Sequence, residues 1–194
     1  MIRRTPLSAI ARAVVIAGAL SALGACASGA RPTQMAVSTA SLKPIAPGVP
    51  GYKELRVAHV GGGGGTNPLW MSNVSSNDFL NALEASLKAS NYLADDPEKA
   101  KTEITAELVD LKRPLAGLDM SVTTRVRYSG KALPAGNQAF DETVAATGTA
   151  KLGDAFIGTE RLRLANEAAI RANIEAFLQR LAELLPGRAA VASN

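Results

Sequence analysis

Ile170, Ile174, Phe177, Leu181 and Leu185 recur at spacings of three and four residues. On an α-helix they form one apolar stripe that another layer must cover. This stripe constrains the fold more than any other feature, because such a helix gains its stability from packing rather than from propensity. Glu167 and Arg171 sit four apart on a neighbouring face, where an ion pair can form. Pro186 and Gly187 stop the helix. The covering layer has to be built without an internal disulfide, since the 194-residue chain holds one cysteine, Cys26. Aromatic residues make up 4% of the chain, so its core depends on Leu, Val, Ile and Ala.

Four segments read as strands. Glu54 to Val60 places Leu55 and Val57 on one parity, and a glycine run, Gly61 to Gly65, follows it. Thr102 to Lys112 alternates Glu103, Thr105 and Glu107 against Ile104, Ala106 and Leu108, after which Val109 and Leu111 take over the apolar parity. Such a phase flip predicts a β-bulge or the end of the covered part of the strand. Met120 to Tyr128 gives the cleanest alternation, with Met120, Val122, Thr124, Val126 and Tyr128 against Ser121, Thr123, Arg125 and Arg127. In Ala139 to Leu152, Phe140, Val144, Ala146 and Ala150 keep one parity. An earlier helix is predicted to start at Ser75, whose hydroxyl can cap the amide near Asp78. Phe79, Leu83 and Leu87 form its stripe, and Asn91 suits the left-handed position that ends it.

The predicted order is β-α-β-β-β-α. Short returns among the last three strands imply an antiparallel meander. The fold class is therefore α+β: a two-layer sandwich with two helices on one face of a mostly antiparallel four-stranded sheet and the other face open.

At the other end of the chain, Arg3, Arg4 and Arg12 precede an apolar stretch from Ala13 to Leu23, too short to span a bilayer. Leu23-Gly24-Ala25-Cys26 then resembles the processing box of bacterial lipoprotein signals. The resemblance implies a diacylglycerol thioether on Cys26 and an acyl chain on its freed amine, and several chains anchor stably where one does not. Ala27 stands where inner-membrane retention typically uses Asp, which implies the periplasmic face of the outer membrane. The expected organisation is a signal peptide over 1–25, a flexible tether over 26–51, an α+β domain over 52–186 and a disordered tail over 187–194. The tether expectation rests on composition: Ala, Ser, Thr and Gly with Pro32, Pro44, Pro47 and Pro50. A coil of that length would span about 25 to 30 Å.

Removing the signal also changes the charge. The full chain carries a formal +4, but three of its 21 basic residues and none of its 17 acidic ones precede Cys26. The remaining 18 against 17 remove the electrostatic case for a nucleic-acid partner.

The order of elements, the lipidated start, the asparagine ending the earlier helix and the Asn166-Glu167 pair leading into the closing helix resemble the LptE-like lipopolysaccharide-assembly lipoproteins. Thr66-Asn67-Pro68-Leu69-Trp70 and the segment from Glu160 to Glu167 are similar to recurring blocks of uncharacterised proteobacterial lipoproteins. These resemblances imply an accessory role in envelope assembly or transport. Fold alone does not imply function.

No catalytic constellation is visible. His59, the single histidine, lies on the parity of Leu55 and Val57 with no cysteine, carboxylate or histidine company in sequence. No Gly-x-Ser-x-Gly elbow or His-Glu-x-x-His motif occurs. Asp95 with Asp96, and Asp141 with Glu142, read as solvated carboxylates. The glycine run lacks a following Lys-Ser or Lys-Thr, and Pro68 and Trp70 intervene before the helix, so it does not read as a phosphate cradle. The expectation is a protein without catalytic residues, metal or cofactor.

Three places are candidates for contact. Trp70 and Met71 bring large apolar groups into a loop, either as a partner surface or folded back over the sheet edge. Arg163, Asn166 and Glu167 fall near the core-facing side of the closing helix, so that turn either projects past the sheet or forms a buried polar network. Arg125 and Arg127, with Thr123, Thr143, Thr147 and Lys151, share the open sheet face, where anions could bind, although Glu103, Glu107 and Asp141 make cross-strand ion pairs the plainer reading. The functional expectation is a lipid-anchored lipoprotein that docks onto an envelope protein partner. The alternative is a periplasmic lipid- or glycan-binding module.

Overall fold

A computed structural model describes residues 28–65, 73–114 and 117–185. The signal segment, Cys26, Trp70, Met71, Pro186 and the tail beyond it lie outside the described residues. A single helical turn, α1 (Pro32–Met35), precedes β1 (Leu55–Gly61), α2 (Ser76–Ala89), β2 (Thr102–Lys112), β3 (Met120–Ala132), β4 (Gln138–Ala150) and α3 (Gly158–Leu184). The strands lie in the order β1-β2-β3-β4. β1 runs parallel to β2, with α2 as the crossover that a parallel pair requires, and the remaining pairs are antiparallel. The α+β sandwich and the β-α-β-β-β-α order read from the sequence are observed, with α1 added in front.

Local chemistry accounts for the element ends. Ser75 Oγ accepts from the Asp78 amide at 3.1 Å and so caps α2. Asn91 takes a left-handed backbone with φ 62 just after that helix. The register of β2 against β3 shifts between Leu108 and Asp110, which is the bulge that the change of apolar parity predicts, and it leaves Val109 exposed. β3 runs four residues beyond Tyr128, because Ser129 to Ala132 still find partners on β2.

The core fills the space between sheet and helices. Ile104, Val126, Tyr128, Phe140 and Val144 come from the sheet, Phe79, Leu83 and Leu87 from α2, and Ile170, Ile174, Phe177 and Leu181 from α3. The Tyr128 and Phe177 rings stack with centroids 3.8 Å apart and planes 3° from parallel. Such a pair contributes about 1 kcal/mol beyond its burial.

Two expectations change. The segment expected to be a tether packs on the body: Ala30, Met35 and Val37 are buried, and Leu42 and Ile45 lean on the same core. The Val37 amide donates to Ser86 Oγ at 2.9 Å, the Ile45 amide to Ser90 O at 3.1 Å, and Asn91 Nδ2 to Ile45 O at 3.0 Å. Average composition hid this, because a few spaced apolar residues on a proline-stiffened path are enough to fill the seam between two helices. The closing helix also begins earlier than its stripe. Asn166 and Glu167 sit inside α3 rather than at its entrance, since the polar residues from Glu160 onward mask the helical period without breaking the helix.

Candidate functional site

The first three turns of α3 bury charge. Arg161, Arg163, Asn166 and Glu167 are each at most 6% exposed. Arg163 Nη1 donates to Glu167 Oε1 at 2.5 Å and Arg163 Nε to Glu160 Oε2 at 3.0 Å, while Arg163 Nη2 completes a fork on Glu160. Arg31 reaches the same carboxylate from α1, with its backbone amide at 2.9 Å and its Nε at 3.2 Å from Glu167 Oε1. Two guanidinium groups and two carboxylates thus form a neutral cluster, which is what makes their burial tolerable. The hydrogen bond from Arg163, partly offset by burial, holds the Glu160 carboxyl below its ordinary pKa. The same contact raises the guanidinium's already high value. Arg163, a candidate contact residue by sequence, is therefore an internal strut and offers no docking surface. The expected Glu167–Arg171 pair is likewise replaced, because Glu167 turns to Arg163 and Arg31 while Arg171 Nη1 donates to Gln34 O.

Arg161 has a different task. Its Nη1 donates to Ala155 O at 2.7 Å and to Phe156 O at 2.8 Å, and its Nη2 to Gly117 O at 3.4 Å. One buried cation therefore ties the β4–α3 loop to the β2–β3 loop. Leu152 N donates to Asp119 Oδ1 at 3.0 Å and adds a second tie.

Small residues bring α3 close to β4 here. A methyl group on Gly148 would lie 2.2 Å from Ala169 N and 2.8 Å from Ala165 O, so helix backbone rests directly on the strand. One turn on, Asn173 is fully buried with each side-chain group satisfied. It accepts from Tyr128 Oη at 3.0 Å and donates to Val144 O at 2.9 Å and Thr124 Oγ1 at 3.2 Å. Burial raises the Tyr128 pKa, keeping its hydroxyl a neutral donor.

The open face is a ladder of cross-strand pairs. Ser121 meets Thr149 and Thr123 meets Thr147, both at 2.8 Å. Arg127 grips Asp141, through Nε at 2.8 Å and through Nη2. That hydrogen bond lowers the Asp141 pKa and raises that of Arg127. Arg125 lies in register with Asp110 on one side and Ala145 on the other, and is exposed. A shallow depression of about 480 Å³ opens beside Arg127, lined by Thr105, Glu107, Ser129, Lys131 and Asp141 among others. The structure thus keeps Arg125 and Arg127 together on the open face, each one position from a core residue of the same strand that points the other way, and leaves Arg163 on the opposite, covered side.

The remaining sequence candidates separate. A register shift between Val57 and His59 moves His59 off the buried parity, and it is exposed on the edge strand β1. Asp95 pairs with Lys53 at 2.7 Å, and that hydrogen bond raises the lysine's pKa. Asp96 caps a 3-10 turn at Pro97–Lys99. Glu142 pairs with Arg180. Gly62, at φ +75, presses on β2, where a side chain would meet Leu108 O at 2.1 Å. The Gly63 amide donates to Ser76 Oγ at 3.1 Å. The glycines therefore fit the chain tightly against a helix start whose cap is already supplied from within. Among the described residues no three His, Cys, Asp or Glu side chains converge as a metal site.

Sequence reasoning missed the Arg161 tie and the exposed apolar side chains near it. The signal was present in Phe156-Ile157, a large apolar pair between Gly153 and Gly158, in a stretch with no strand or helix periodicity.

The arrangement has a solved counterpart. The crystal structure of protein XCC0632 from Xanthomonas campestris, of the DUF330 family model, superposes with a TM-score of 0.54 at 11% identity, covering 77% of this chain and 94% of that one. The two share a fold. A candidate lipoprotein from Caulobacter crescentus aligns with a TM-score of 0.48 at 10% identity over 74% of this chain and 96% of its own. A minor lipoprotein from Acinetobacter baumannii aligns at 0.41 and 14% identity, over 68% and 94%. No protein-family model and no curated sequence matches the chain.

Proposed function

We propose that this protein is a non-enzymatic lipoprotein, anchored through acylated Cys26 on the periplasmic face of the outer membrane, whose sandwich docks onto an envelope assembly or transport partner. The LptE resemblance gives that accessory role its most concrete form. The observation that carries the anchoring is the Leu23-Gly24-Ala25-Cys26 box directly after an apolar export segment. No described helix is long and apolar enough to cross a membrane, which suits attachment by lipid. The docking reading draws on the open sheet face, a broad surface of exposed Thr and Arg side chains on paired, rigid strands.

Two measurements test the reading. Mass analysis of the protein from membranes is expected to find diacylglycerol and an acyl chain on Cys26, and an unmodified thiol on the exported form would overturn it. A photo-crosslinker in place of Ala145, exposed and in register with Arg125, is expected to capture one stoichiometric membrane protein in intact cells. Arg125→Glu with Arg127→Glu should abolish that capture. A second reading, capture of a glycan, is favoured by the polar depression beside Arg127, and recovery of glycan without protein would replace docking with it.

A further inference from the structure

Most of the exposed large apolar side chains gather at one end of the molecule. Among the described residues, Phe156 is 91% exposed, Leu118 71%, Ile157 50% and Leu152 39%. All four belong to the β2–β3 and β4–α3 loops, whose backbones converge on the guanidinium of Arg161. These are not frayed tips. A buried cation holds three carbonyls in place, and Asp119 and Asp154 accept from the Leu152 and Lys151 amides. Exposing a phenylalanine on a fixed loop costs solvation that a floppy loop could avoid by collapse, and such patches mark an interaction surface.

The position of Ala30 and Arg31 says what meets this surface. The Ala30 amide donates to Asn73 O at 3.1 Å, and the Asn73 side chain takes a hydrogen bond from Arg113, which leads out of β2 into the first of the two loops. Arg31 is fastened to Glu167. Ala30 lies four positions after Cys26, so covalent geometry bounds the distance between them at about 14 Å. The rise of α3 between Glu167 and Gly158 is also about 14 Å. A chain lipidated at Cys26 cannot stand off the bilayer as a free tether would, because the strap is docked within a few residues of the anchor. The end of the body within its reach carries the apolar loops.

We infer that the Leu118 and Phe156-Ile157 loops form a second membrane contact, seated in the lipid interface and fixing the sandwich with this end down. The inference rests on the anchoring reading above. Acyl chains then supply attachment, and the loops supply orientation. With that end in the lipid, the sheet stands away from the bilayer and its open face looks sideways, where a neighbouring envelope protein can approach.

The test uses the full-length protein purified from membranes and reconstituted in phosphatidylethanolamine and phosphatidylglycerol vesicles. With Cys26 acylated, a cysteine introduced as Phe156→Cys or Leu118→Cys is the single free thiol and takes an environment-sensitive dye. Lys131→Cys is the control, because Lys131 is exposed on the open face at the far end of β3 from both loops. Blue-shifted emission and quenching by nitroxide lipids at 156 and 118, but not at 131, is the expected result. Water-exposed dyes at all three sites, on protein that remains vesicle-bound, overturn the inference and leave the anchor standing. Dyes that are exposed in vesicles but shielded in native membranes also overturn it and assign the patch to a protein partner. Protein that fails to enter vesicles, with unmodified Cys26, removes both the anchor and the inference.

Discussion

The two halves of α3 lie over the same sheet and bury opposite chemistry. The later half presents Ile170, Ile174, Phe177 and Leu181 to Tyr128 and Phe140, while the earlier half presents Arg161, Arg163, Asn166 and Glu167. Spacing between the layers separates them. Where the helix stands off, large side chains fill the gap and stack. Where Gly148, Ala165 and Ala169 let backbone meet backbone, no room remains for large apolar groups, and side chains leaving that turn run past the sheet to the loops and to α1. Those side chains need partners that are themselves buried, which polar groups provide through directed bonds. The later half stabilises the fold by burial, whereas the earlier half fixes the geometry of three connecting segments.

The sharpest break in this comparison comes from Phe177→Ala, which removes the ring stacked on Tyr128 and should lower the unfolding free energy by about 4 kcal/mol in urea denaturation. Glu167→Ala should follow at about 3 kcal/mol, because it removes the acceptor of the buried Arg163 Nη1 and of the Arg31 amide, although Glu160 still holds the rest of the Arg163 guanidinium. Pairing Arg163→Met with Glu167→Leu should recover much of that loss. A loss below about 1 kcal/mol for the single change would mean that the earlier half is solvated after all. Gly148→Ala should cost about 2 kcal/mol by pushing α3 off β4, with the Ala165 and Ala169 amides losing exchange protection. The smallest effect is a pH dependence. The Glu160 carboxyl is held low by Arg163, so its stabilising share is present above its ordinary value and lost as pH falls through the depressed one. The difference in unfolding midpoint between the wild type and Glu160→Gln should therefore be constant above about pH 5 and shrink below about pH 4. A difference that grows on acidification would mean that the pair does not form.

Much of the architecture was legible because it follows from period and punctuation. The alternation from Met120 to Tyr128, the parity change at Val109, the Ser75 cap and the Asn91 stop each act within a few residues, and each is observed. The strap over residues 30–45 was not legible, because its partners, Ser86, Ser90 and Glu167, are distant in sequence and its composition resembles a linker. The candidate surfaces divide in the same way. Arg125 and Arg127 follow from strand parity, whereas Arg163 could be exposed or internal until Glu160, Glu167 and Arg31 closed around it.

By itself the sequence determined the four strands, the two long helices and their α+β order, since each is written in residues that are near neighbours along the chain. Only the tertiary structure decided that a linker-like segment is a strap, that three arginines of one helix serve different ends, and that two exposed apolar loops converge on one buried guanidinium. Those outcomes depend on which distant groups meet, and burial lets a charge or an aromatic ring settle only where its partners have already been brought.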